Sequence, residues 1–178
     1  MRRSRRALLA GALCAAIAGS AGAHTPYGQW VVYRQKHLLI GAHRGDARTY
    51  ALAKAIAAAL ADELPEAKAR VARGPRPQRI ASLMGTGQLL TAVLSMPEAA
   101  AMTVAAAPFE NYRPVELRSL AALDDDYALF ASTLLPSDHA WLLVQALDHA
   151  GLAVAPSTGE IAGHPGADAF WRGDPAPS

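Results

Sequence analysis

A short apolar strand followed closely by a long alanine-rich helix is the feature that most constrains the fold. The run HLLIGAH (37–43) is apolar and brief, which predicts a buried β-strand. After a polar loop, the segment 50–65 places apolar residues every four positions from Leu52 to Leu64. This spacing predicts an amphipathic helix, and Asp46 is suited to be its N-cap.

The same alternation continues along the chain. Alternating residues predict a strand at 68–74, and apolar runs predict others at 89–95 and on either side of three aspartates at 124–126. Shorter helical patterns lie between them, and SDHAWLLVQALDHAGL predicts a helix with Ser137 as N-cap. Alternating strands and helices predict an α/β fold, a three-layer arrangement with a mostly parallel sheet. We assign one domain to residues 37–174 and a tail to 175–178.

The first 23 residues have the pattern of an export signal. A basic start, MRRSRR, precedes an apolar stretch that is too short for a membrane span, and Ala21-Gly22-Ala23 forms a small-x-small cleavage site. The pattern predicts a signal peptide at 1–23, cleaved after Ala23, with Sec or Tat as the route. An irregular N-terminal arm at 24–36 would follow, and the mature protein would be periplasmic.

Cleavage would change both charge and cysteine content. The four arginines of the signal would leave, which reduces Lys plus Arg from 17 to 13 against 15 Asp plus Glu, so the net charge moves from +2 to −2. This balance argues against a nucleic-acid or anionic-membrane partner. The one cysteine, Cys14, lies within the signal, so the mature chain would have no disulfide and no thiol chemistry. It would also have no transmembrane helix.

The loop between the first strand and the first helix is the leading candidate for a binding site. In open α/β sheets, ligands bind at the carboxyl ends of strands, beside helix N-termini whose N–H groups favour anions. Arginine and threonine donors there would suit a carboxylate, although a solvated loop with a capping aspartate is the alternative. The candidate residues are Arg44, Gly45, Asp46, Arg48, Thr49 and Tyr50.

Other chemistries find little support in the sequence. The histidines show no short metal-binding spacing, and no G-x-S-x-G segment marks a nucleophile. The sequence therefore predicts a protein that is not an enzyme and needs no cofactor. One metal alternative stays open: cleavage after Ala23 would make His24 the N-terminus, and its amine and ring nitrogen together could bind copper.

Two stretches resemble the TAXI-type solute-binding proteins of TRAP transporters. LLIGAHRGDARTYALAKAIAAAL matches the family's opening strand, glycine-containing loop and Thr-Tyr helix start, here at Thr49 and Tyr50. GHPGADAFW, residues 163–171, matches its HPGA ending followed by aromatics. The resemblance implies one lobe of a type II periplasmic binding protein. It also implies ligand contacts from the 44–50 loop, with Gln78 and Ser95 at the strand ends.

The chain departs from that family in the middle. Family members have two lobes that close on the ligand, whereas this sequence runs from the first-lobe strands almost directly to the C-terminal helix. We expect a single lobe that binds a small carboxylate-bearing solute, or serves as an accessory of a TRAP-type system. It would dimerise or dock on a transporter or another periplasmic protein. The alternative is a non-catalytic interaction or scaffold protein that has lost solute binding.

The C-terminal ending itself raises a choice between structure and site. Pro165-Gly166 predicts a sharp turn, after which Phe170 and Trp171 would pack on the lobe. We interpret this ending as a structural latch rather than as a binding site at His164.

Overall fold

The computed structural model of the protein describes residues 36–177, so the predicted signal peptide, His24 and the predicted arm up to residue 35 lie outside the described residues. The strands are β1 (Leu39–His43), β2 (Arg70–Gly74), β3 (Thr91–Ser95), β4 (Leu117–Ala122) and β5 (Tyr127–Ser132). The helices are α1 (Ala47–Glu63), α2 (Pro77–Gly85), α3 (Met96–Thr103), α4 (Ser137–His149) and α5 (Pro165–Trp171), with a 3-10 turn at Pro65–Ala67.

The five strands form one mixed, mostly parallel sheet in the order β2-β1-β3-β5-β4. Strand β1 pairs in parallel with β2 and β3. Strand β5 lies antiparallel between β3 and β4, so four strands share one direction and β5 opposes them. The predicted α/β class with a mostly parallel sheet is confirmed.

Helices cover both faces of the sheet. Successive strand residues point to opposite faces, and here both faces are apolar: Ile40 and Val93 belong to one core, Leu39 and Leu94 to the other. The first core contains residues of α1, α4 and α5, and the second contains residues of α2 and α3. The result is the predicted three-layer arrangement. Burial on both sides explains why β1, β3 and β5 are near-continuous apolar runs, whereas β2, at the end of the strand order, has exposed Arg70 and Arg73.

Two local predictions near the C-terminus are wrong. Helix α4 begins at Ser137, and its N-cap is Pro136, which supplies no side-chain hydrogen bond. Pro165 and Gly166 form the first turn of α5 rather than a sharp reversal, because Pro is favourable at the first helical position, where its missing N–H costs nothing. The cap of α5 is His164.

The ring of His164 is held by protein partners at both nitrogens. Its Nε2 donates to the Leu135 carbonyl oxygen at 3.0 Å, and its Nδ1 accepts from the Gly166 N–H at 3.3 Å. Only the neutral ring with its proton on Nε2 satisfies both. Burial lowers the pKa of His164 and is the largest effect. The hydrogen bond to the Leu135 carbonyl raises this pKa, the charge of Arg118 lowers it, and the charge of Asp168 raises it.

The C-terminal segment packs back on the domain, as the sequence predicts for a latch. The His164 N–H donates to the Ser119 carbonyl at 2.8 Å, and the Trp171 indole donates to the Leu120 carbonyl at 3.2 Å. The rings of Phe170 and Trp171 meet edge to face at 5.1 Å and pack against the core that contains α1 and α4. The ending therefore binds to strand β4 and to one core.

Gly166 should tolerate no side chain. A Cβ at this position would overlap the backbone carbonyl of Ser137, which is part of a helix and cannot move aside cheaply. We expect Gly166→Ala to lower the free energy of unfolding by about 3 kcal/mol, measured by urea denaturation. Gly85→Ala is the matched control, since its Cβ would meet only Val115 at an ordinary 3.5 Å. Equal midpoints for the two variants would contradict the close packing of α5 on α4.

The protein should lose stability as the pH falls through the range in which His164 would titrate. Its pKa in the folded state lies below the value of 6.5 that holds on unfolding. The unfolded chain therefore binds the proton more readily, and the stabilisation present above pH 6.5 is lost as pH falls through the folded pKa. His164→Asn keeps a capping side chain and removes this titration. Melting temperatures from pH 7.5 to 5 should fall more steeply in the wild type than in this variant, and parallel curves would contradict the assignment.

Candidate functional site

Three strands bring their ends to one edge of the sheet. Parallel strands β1 and β3 both finish there, at His43 and Ser95. Strand β5 runs the other way and begins there, with Tyr127 opposite Ser95 in the register. The loop after β1, the N-terminus of α3 and the β4–β5 turn therefore meet at this edge, which is where α/β sheets bind ligands.

His43 is the buried centre of this edge. Its side chain is 2% exposed, and Nε2 lies 3.1 Å from Oε1 and 3.3 Å from Oε2 of Glu98. Glu98 belongs to the first turn of α3 and is 23% exposed. Among the residues that the structure describes, Nδ1 of His43 has no hydrogen-bond partner although it is buried.

Asp46 joins the loop after β1 to strand β5. Its Oδ1 accepts the Arg48 N–H at 2.8 Å, which confirms the predicted N-cap of α1. Its Oδ2 accepts the Tyr127 hydroxyl at 2.8 Å, and this hydrogen bond raises the pKa of Tyr127. One carboxylate thus fixes the start of a helix and the start of a strand.

The polar groups form a compact cluster. One ligand-type atom each from His43, Asp46 and Glu98 lies within 4.8 Å of the others. Ser95 caps α3 beside them: its hydroxyl accepts the Glu98 N–H at 3.4 Å and donates to Glu98 Oε2 at 3.3 Å. We call these four residues with Tyr127 the strand-end cluster. It presents two carboxylates, one imidazole and two hydroxyls.

An ion pair lies at the rim of this edge. Arg48 Nη2 contacts Oδ2 of Asp124 at 2.9 Å, and both side chains are at least 30% exposed. Burial acts to raise the pKa of Asp124, but the Arg48 guanidinium and the backbone N–H groups of Asp126 and Tyr127 together lower it. The aspartate turn between β4 and β5 therefore anchors Arg48.

The structure distributes the other predicted residues differently. Arg44 and Gly45 are exposed in the loop, whereas Thr49 is fully buried and donates to the Asp46 carbonyl at 2.8 Å. Tyr50 lies under the Arg73 guanidinium, 4.2 Å from its ring centre. Gln78 donates to the Pro108 carbonyl at 3.3 Å. Of the predicted set, Asp46 and Ser95 belong to the strand-end cluster, Arg44 lies in the adjoining loop, and Arg48 lies in the first turn of α1.

Sequence reasoning missed His43, Glu98 and Tyr127 as site residues. Glu98 is 55 residues from His43, and no short spacing connects them. The signal that could have found them is positional: a histidine that ends a buried strand, and an acid in the first turn after the parallel neighbour.

The opposite edge of the sheet has a different chemistry. A mainly apolar groove opens there, beside the start of β1 and the ends of α1 and β5. It is lined by Lys36, His37, Leu38, Leu64, Glu66, Ala67, Leu90, Leu135, His139, Leu142 and Leu143. The mainly apolar lining of this groove contrasts with the carboxylates, imidazole and hydroxyls of the strand-end cluster.

The cap that Asp46 provides predicts a stability difference between two substitutions. Asp46→Ala removes acceptors for the Arg48 N–H and the Tyr127 hydroxyl, and should lower the free energy of unfolding by about 1–2 kcal/mol. Asp46→Asn keeps a capping oxygen and should lose less than half as much. Urea denaturation of both variants checks this, and equal losses would show that the negative charge, not the cap, is what stabilises α1.

Comparison with models of known protein families gives no match for this chain, and comparison with curated proteins gives none. Within residues 36–177, none of the helices combines the length and apolar character that a membrane crossing requires. What can be said of function therefore comes from the residues of the chain and their geometry.

Proposed function

We propose that this protein is an exported, periplasmic solute-binding module that binds a small carboxylate-bearing solute at the strand-end edge. The observation that carries the proposal is the convergence of the first loop, the N-terminus of α3 and the start of β5 at this edge. Two exposed arginines lie beside the strand-end cluster, Arg44 in the loop after β1 and Arg48 in the first turn of α1. The export signal and the resemblance to TAXI-type proteins support the same proposal.

The charged side chains at this edge of the sheet favour a solute that carries both a carboxylate and hydrogen-bond donors. Arg48 is held by Asp124 at one guanidinium nitrogen, and the rest of its planar fork can bind a carboxylate. Behind it, Asp46 and Glu98 are partly exposed acceptors. A small acid that also carries hydroxyl or amino donors would satisfy the arginines and the carboxylates together. The site binds rather than transforms its solute in this proposal.

A single lobe leaves one side of such a solute open to water. An open face gives weak binding, because polar contacts are strong only where water is excluded. We therefore propose that a second copy or a periplasmic partner, such as a TRAP-type transporter component, covers the edge. Binding by the isolated module should be weak, and it should strengthen when the covering partner is present.

Isothermal titration with small mono- and dicarboxylates, hydroxy acids and amino acids tests the proposal on the chain that begins at His24. The wild type should bind at least one of these compounds. The double variant Arg44→Gln, Arg48→Gln should bind it at least about tenfold more weakly, because charge-assisted hydrogen bonds are lost. Arg70→Gln is the matched control, since Arg70 begins β2 at the opposite edge of the sheet, and it should bind as the wild type does.

Size in solution completes the test. A monomer that binds none of these compounds would contradict solute binding and leave the interaction-protein alternative. Equal affinities in the double variant and the Arg70 control would place the solute elsewhere on the protein.

A further inference from the structure

We infer that His43, Asp46 and Glu98 form a binding site for one divalent first-row transition-metal ion, with zinc as the natural probe. The three residues come from the end of β1, the loop that follows it and the first turn of α3. This site does not depend on the proposed solute. The sequence predicted no metal here, because the ligands come together only when β1 and β3 pair.

The spacing of the three side chains suits such an ion. Three atoms that all lie within 4.8 Å of one another share a point no more than about 2.8 Å from each. Zinc binds nitrogen and carboxylate oxygen at about 2.0–2.2 Å. Side-chain shifts of about 0.7 Å would therefore complete the coordination, which rotamer adjustments of the partly exposed Asp46 and Glu98 can supply.

The ring of His43 supplies a second, independent observation. It is 98% buried, and among the described residues its Nδ1 has no hydrogen-bond partner. Nε2 faces the Glu98 carboxylate, 3.1 Å from Oε1. When Nδ1 carries the proton, the Nε2 lone pair points at these oxygens, an arrangement that a cation between them would stabilise. Nε2 is therefore the nitrogen that the trio offers to a metal.

The carboxylates have acceptor capacity left for an ion. Each oxygen of Asp46 accepts one hydrogen bond, from Arg48 or Tyr127, and a carboxylate oxygen has two lone pairs. Ser95 and Tyr127 bind the two carboxylates from outside the trio and orient them, as the hydrogen-bonded neighbours of metal ligands do elsewhere.

The donor set selects the class of ion. One imidazole and two carboxylates suit zinc or manganese, whereas soft copper(I) favours sulfur ligands and calcium takes six to eight oxygens. With neutral His43, the two negative charges balance a divalent cation. Glu98 is 23% exposed, so the ion has a route from solvent, and its remaining coordination positions would face that route.

Equilibrium dialysis with zinc, and the visible spectrum of cobalt(II) in the same protein, test the site in the absence of any solute. The chain that begins at His24 should bind zinc at this site, and cobalt should show the bands of a bound, low-symmetry ion. Asp46→Asn and Glu98→Gln keep the shape of each side chain and one acceptor oxygen, and replace the other oxygen with an NH2 donor that cannot bind a metal. Each should weaken zinc binding at least about tenfold, and the double variant should weaken it further. Circular dichroism verifies that the variants are folded.

Two controls separate this site from other sources of binding. Asp138→Asn removes an exposed carboxylate in the first turn of α4, at the opposite edge of the sheet, and should leave the affinity unchanged. His24→Ala removes the N-terminal imidazole and should also leave the cobalt spectrum of the site unchanged. The inference is overturned if zinc does not bind, if Asp46→Asn and Glu98→Gln bind it as the wild type does, or if His24→Ala abolishes binding. Failure of solute binding in the calorimetric experiment would not affect these outcomes.

Discussion

The position of strand β5 between β3 and β4 is the constraint on which the strand-end cluster depends. Because β5 runs antiparallel, its first residue lies where β3 ends, and the register places Tyr127 opposite Ser95. A parallel strand in that position would present its last residue there instead. The Tyr127 hydroxyl thus reaches Asp46 at 2.8 Å, and the turn before β5 brings Asp124 to Arg48 at 2.9 Å. The loop after β1 is therefore held at two points by a hairpin that is distant in sequence.

Some side chains of the strand-end cluster also stabilise the fold. Asp46 caps α1, and Ser95 caps α3, so both helices depend on side chains that also line the site. The caps fix these side chains before any ligand arrives, which reduces the ordering cost of binding. Because the residues of the cluster hydrogen-bond to one another, a ligand that binds there replaces some of these hydrogen bonds rather than entering an empty cavity.

The sequence predicted the fold well, because burial on both faces of the sheet makes the central strands β1, β3 and β5 apolar runs, and the helices between them space their apolar residues differently. It located the Asp46 cap because a capping residue is adjacent in sequence to the helix that it caps. It failed at Ser137, which is the first residue of α4 rather than its cap, and at Pro165, which begins α5 next to the capping side chain of His164 instead of forming a sharp turn. It found Asp46 and Ser95 but not Glu98, because a site formed by strand pairing has no signature in local spacing. The positive charge of the loop suggested that it binds anions. In the structure Arg44 and Arg48 are exposed, and the carboxylates of Asp46 and Glu98 beside them are less exposed.

The two buried histidines show how the surroundings of a ring distinguish structure from function. Each is 2% exposed, and each follows or caps a regular element. The ring of His164 has a donor and an acceptor role that the Leu135 carbonyl and the Gly166 N–H satisfy together, so neither nitrogen has capacity for a ligand. Within the described chain, only the Nε2 nitrogen of His43 has a hydrogen-bond partner, and that partner is the Glu98 carboxylate. A buried polar atom without a partner destabilises the folded state. Buried polar atoms of this kind are generally completed by an ordered water, an ion or a ligand, and His43 lies at the carboxyl end of β1, where α/β sheets bind ligands.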